Sequence, residues 1–118
     1  MQNRYDQIYL LSVDIEKEMR TLRQWEGGVP GTEALSSELP FCYDTLMFNQ
    51  WLQWIFLPRI RAVVEGEAPL PEKSEIAPMA EIWVEEQNIA SPGYRLLELI
   101  REMDRQITDA QSTPLRLM

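Results

Sequence analysis

The sequence predicts an all-α protein, a compact four-helix bundle-like domain with a short third helix and a long loop between helices 1 and 2. Three observations lead there. Apolar residues recur at spacings of three, four and seven along separate stretches, which lines them up on one face of a helix at about 100° per residue. The alternating patterns that mark strands are absent. Glycine and proline gather between these stretches or at their starts, where they act as stops, caps and straps.

The first helix is expected over residues 5–25, with Ile8, Leu11, Ile15, Leu22 and Trp25 facing inward. Asn3 is its N-cap, Asp6 sits favourably in the first turn, and Gly27 and Gly28 stop it. Glu18 occupies a seam position between Ile15 and Leu22 and is expected to lean out to water. Residues 26–41 carry Gly27, Gly28, Pro30, Gly31 and Pro40 without any sustained period, so they read as a long loop. Loops of that length in compact domains are uncommon and often functional.

The central helix is expected over 44–65, capped by Asp44 or Thr45 and ending near Gly66. Met47, Phe48, Trp51, Leu52, Ile55, Phe56, Ala62 and Val63 form its apolar arc. Pro58 lies in its interior and should kink it. A straight wheel places Arg59 inside the arc, where its charge needs a partner or a route to solvent. Glu18, Asp104, Glu81 or a loop carboxylate could serve. Asp44 could not, because fifteen residues of helix would separate the two by roughly 22 Å.

Pro69-Leu70-Pro71 predicts an extended strap. A short helix follows over 78–87, with Met79, Ile82 and Trp83 inward and Pro78 in its first turn. Ser91-Pro92 opens the last helix, over 92–109, whose inner face is Leu96, Leu97, Ile100, Met103 and Ile107. Residues 1–109 are expected to form one domain, and 110–118 a flexible tail.

Composition narrows the chemistry. Eleven Lys and Arg face nineteen Asp and Glu, giving a net charge of −8. An autonomous nucleic-acid binder neutralises phosphates with cations, so direct nucleic-acid binding is disfavoured and a basic protein partner fits better. There is no histidine and one cysteine, Cys42, so an internal disulfide and every His-based catalytic or metal arrangement are excluded. No phosphate loop, nucleophile elbow, metal-ligand spacing or cofactor motif is present. The amino terminus lacks a signal-peptide layout and no apolar run approaches a membrane span, so a cytoplasmic setting with no membrane contact is expected.

Cys42 sits in an apolar context with no nearby cation and reads as an unreactive thiol. Asp44-Thr45 has a capping explanation and no neighbouring base. Trp51 and Trp54 share a flank three residues apart. Trp54 lies beside Arg61, and Trp with Arg is the composition of interface hot spots.

Phe41, Asp44-Thr45, Gln50-Trp51-Leu52-Gln53-Trp54, Pro58-Arg59, Pro69-Leu70-Pro71 and Ala77-Pro78, in that order, resemble the YqcC-like family of small bacterial proteins, and the resemblance extends more loosely over residues 5–109. The resemblance implies a compact helical bundle. It also implies a link to tRNA pseudouridine synthase C, whose gene tends to neighbour the family's and whose name the family sometimes carries. A pseudouridine synthase needs a larger mixed α/β domain with a catalytic Asp in a strand-and-loop setting, which this pattern does not reproduce. The family supplies no catalytic residues.

Core, cap and strap chemistry explain most positions of the pattern. Gln50, Gln53, Trp54, Arg59 and Arg61 remain as the candidate partner or ligand site. The expectation is a non-enzymatic interaction module, accessory to tRNA pseudouridylation, with tRNA pseudouridine synthase C as the candidate partner and homodimerisation open. The rival is a small-ligand binder or enzyme with a pocket near Arg59, and direct RNA binding comes third.

Overall fold

The computed structural model describes residues 3–109, so the tail expected at 110–118 lies outside the described residues. Asn3 accepts the Asp6 N–H at 2.9 Å, and α1 follows over Arg4–Thr21. The central helix, α2, spans 48–65. A short α3, Ala77–Glu86, and a longer α4, Tyr94–Asp109, complete the bundle. No strand occurs among the described residues. The long first connection holds a one-turn helix, Thr32–Leu35, and a 3-10 turn, Pro40–Cys42.

α1 ends earlier than the glycines suggest. Arg23 takes a left-handed φ of 60°, and the Gln24 N–H closes back onto Met19 O at 2.8 Å. This is a Schellman cap built without glycine. Glu67 does the same after α2 and Asn88 after α3, with φ of 50° and 58° and closing bonds of 2.9 Å from Ala68 to Val63 and from Ile89 to Val84. Trp25, expected on the helix, lies beyond it under the Arg20 guanidinium, 4.9 Å from its ring centroid.

α2 departs from a regular helix where the proline demands it. Pro58 has no N–H to offer the carbonyl four residues back, and its ring would clash there. The chain answers with a π-helical turn, Leu52–Phe56, in which the Leu57 N–H bonds to Leu52 O, five residues back. One extra residue in a turn rotates everything after it by about 100° relative to a straight α-helical wheel. Leu57, which that wheel puts on the polar side, is 0% exposed and Ile60 is buried, while Ala62 is exposed. The same rotation carries Arg59 out of the apolar arc to an exposed position. The buried ion pair expected for Arg59 does not form: Glu81 holds Arg101 and Asp104 caps α3.

α2 also begins later than expected, at Phe48 with Met47 as N-cap residue. Asp44 and Thr45 secure the loop instead, accepting from Ser37 Oγ and donating to Ala34 O respectively.

α1 runs antiparallel to both α2 and α4. Arg4 donates to Gln106 near the end of α4, and the Tyr5 hydroxyl donates to Ala68 O just past the end of α2. The core is Ile8, Ile15 and Met19 against Leu52, Leu57, Leu96, Ile100, Met103 and Ile107, all essentially shielded from solvent. Each such aliphatic side chain stabilises by about 1.5–3 kcal/mol relative to exposure. On α3 the inner face is Ala77, Ala80, Trp83 and Val84, whereas Ile82, expected inside, is 54% exposed.

The start of α3 is held from another helix. Asp104 accepts the Ile76 and Ala77 N–H groups at 3.0 and 2.8 Å and the Ser74 hydroxyl at 2.6 Å, satisfying donors that a helix start leaves open. Asp104→Ala is therefore expected to lower the unfolding free energy by about 1–3 kcal/mol in urea titration, and Asp104→Asn by less. Gly93 makes the tight corner between α3 and α4, where a Cβ would stand 2.7 Å from Ile89 O and 3.3 Å from Val84 Cγ1. Thermal melts should show Gly93→Ala destabilised by about 1–3 kcal/mol, while Gly27→Ala, facing open space, stays near neutral.

Candidate functional site

The polar flank of α2 turns first toward the protein's own loop. Gln53 is buried and grips the Glu26 backbone at two points, accepting its N–H at 2.8 Å and donating to its carbonyl at 2.6 Å. Gln50 donates to the Glu26 carboxylate at 3.2 Å and accepts the Met47 N–H at 2.8 Å. Arg61 crosses to α1, donating to Ser12 Oγ and Ser12 O at 3.1 Å each and pairing with Glu16 at 2.9 Å. Trp54 is half-buried, and its indole N–H is buried without an acceptor among the described residues. Of the five candidates, Arg59 is exposed and lines a concavity; Gln50, Gln53 and Arg61 hold structure together.

That concavity is a groove of about 410 Å³. Its floor is the half-buried trio Phe41, Trp51 and Phe56. Phe41 meets Trp51 edge-on at 4.7 Å between centroids, and Trp51 stacks with Phe56 at 5.6 Å. The Pro69-Leu70-Pro71 strap, Arg59 and Ile107 complete the lining. Both ends of the strap are fastened, by Tyr5 at Ala68 and by Asp104 at Ser74.

A second surface escaped the sequence pattern. Tyr43, Met47 and Ile82 are 63%, 49% and 54% exposed, and with Met79, Glu86, Phe48 and Trp83 they line a hollow of about 190 Å³. The signal that could have found it is the spacing of Ala77, Ala80 and Val84, which already fills the inner face of α3 and leaves Ile82 outside. Among the described residues no group of three or more His, Cys, Asp or Glu is placed to hold a metal ion. No helix of the described residues is long and apolar enough to cross a membrane.

Residues 7–106 match the family described as tRNA pseudouridine synthase C. The chain belongs to this family. It is 41% identical to an uncharacterized protein of Haemophilus influenzae over 85 residues, covering 69% of this chain and 80% of that one. It is 30% identical to the uncharacterized protein YqcC of Escherichia coli K12, covering 66% and 72% of the two chains. A solution NMR structure of E. coli YqcC superposes with a TM-score of 0.78 at 24% identity, over 92% of this chain and 91% of that one, so the bundle is the family's fold. A further relative, tRNA pseudouridine synthase C of Pectobacterium carotovorum, is 39% identical over 69 residues. The match covers 58% of this chain but only 18% of that protein, so this chain spans under a fifth of its length.

The electrostatic centre of this family member's α1–α2 contact is Glu16. Partial burial pushes its carboxyl up, but hydrogen bonds and charge from Arg20 and Arg61 outweigh this and hold it below its ordinary 4.5. A carboxylate depressed on folding stabilises above its unfolded value and loses that contribution as pH falls through the lower folded value. Melting temperature should therefore drop on acidification below about pH 4.5, and Glu16→Gln should flatten that part of the profile.

Proposed function

We propose that this protein is a non-catalytic docking module that serves tRNA pseudouridylation by binding tRNA pseudouridine synthase C, using the Tyr43, Met47, Met79 and Ile82 surface. The observation that carries this reading is the Pectobacterium relative. A segment similar to most of this bundle lies within a far longer chain bearing the synthase's name, and a covalent tie in one protein is a natural counterpart of a non-covalent one in another.

The chemistry of the surface supports it. Methionine and tyrosine adapt to varied apolar partners, and exposed patches of this kind mark association sites. Glu86 borders the hollow and the chain carries −8 overall. An enzyme that grips tRNA needs basic surface, so the two charge patterns complement each other and accelerate encounter. The chain itself has no histidine, and its one cysteine is buried.

The glutamines contribute indirectly. Gln50 fixes the Met47 backbone, and Gln53 fixes the loop that leads to it. Arg61 keeps α2 in register with α1.

Affinity purification with the synthase from the same genome tests the proposal. Co-purification is expected, weakened at least about tenfold by Met47→Glu with Ile82→Glu. Leu10→Glu, on an exposed site of α1, should leave it intact. Absence of co-purification together with unchanged synthase activity overturns the proposal.

A further inference from the structure

The groove beside Arg59 has a chemistry of its own, independent of the partner surface. Arg20, Arg61, Arg101 and Arg105 each hold a carboxylate. Arg59, like Arg23 and Arg95, is in no ion pair among the described residues, but of these three it alone lines the groove. It stands where three half-buried rings and two prolines make a nearly continuous apolar lining. The other charged residues on the lining are Lys73 and Glu75, which pair with each other at 3.5 Å. Among the lining side chains the charge left unpaired is that of Arg59, in a protein that is negative overall.

We infer that this groove binds a small planar aromatic anion, its ring lodged between the Trp51–Phe56 floor and the Pro69–Pro71 wall and its carboxylate or phosphate held by Arg59. The volume of about 410 Å³ lies in the range of small-molecule sites, which combine apolar walls with a few placed polar groups. Ring faces and edges offer offset and edge-on contacts to a flat guest. A guanidinium presents a planar fork that matches a carboxylate or phosphate through two parallel hydrogen bonds. The walls are already in place, since the strap is fastened at both ends, so little ordering is required on binding.

Indole-3-acetate and its neutral counterpart indole-3-acetamide, titrated into the full chain and followed by amide chemical shifts, test the inference. Indole-3-phosphate, added as a third probe, distinguishes a carboxylate guest from a phosphate one. An anion should bind saturably at concentrations up to about 10 mM, shifting residues of the groove and exceeding the acetamide at least about tenfold in affinity. Arg59→Gln, at an exposed position and so compatible with folding, should erase that advantage while leaving the thermal melt unchanged. Failure of every probe to saturate, equal affinity for acid and amide, or an advantage that survives in Arg59→Gln would overturn it.

Discussion

The bond from the Leu57 N–H to Leu52 O governs much of the rest. Proline in a helix interior removes one donor and crowds one carbonyl, and a π-turn accommodates both by lodging an extra residue ahead of it. The cost is local, but the rotation is inherited by every residue downstream. It sends Leu57 and Ile60 into the core, aims Arg61 at Ser12 and Glu16 on α1, and leaves Arg59 on the groove. With a regular helix through this region, Arg59 would enter the core uncompensated and Leu57 would face water.

Polar side chains then determine where the connections lie. Gln53 clamps the Glu26 backbone, Asn49 donates to Gln24 O at 3.2 Å, and Asp104 holds the start of α3 from across the bundle. Each spares a buried or half-buried backbone group the penalty of lacking a partner, on the order of 1–3 kcal/mol. These bonds are directional where apolar burial is not. They explain how a connection of more than twenty residues between α1 and α2 reaches one arrangement with only a single helical turn and a 3-10 turn of its own.

The helices themselves are legible, because four apolar stripes and the Asn3 cap are local signals, although the last helix begins at Tyr94, two residues after the start that Ser91-Pro92 signals. What was not legible depends on partners distant in the chain or on backbone choices with more than one solution. Pro58 announces an irregularity but does not say whether the helix will kink or insert a residue, and a straight wheel through it puts Arg59 and Leu57 on the wrong sides. Asp104 looks like one more acid on α4, since its role depends on Ser74, Ile76 and Ala77. Ile82 and Met47 carry apolar side chains that pattern alone assigns to the core. Gln50, Gln53 and Arg61 did stand out as unexplained, yet the structure uses them to hold its own loop and α1.

The strap has a consequence for self-association. Neither Pro69 nor Pro71 has a backbone N–H, so within three residues the strap lacks two of the donors a β-ladder would use. A strand of another molecule approaching the strap could not continue a ladder across these two positions. This non-helical segment is thus shielded from β-pairing by the same two rings that line its groove.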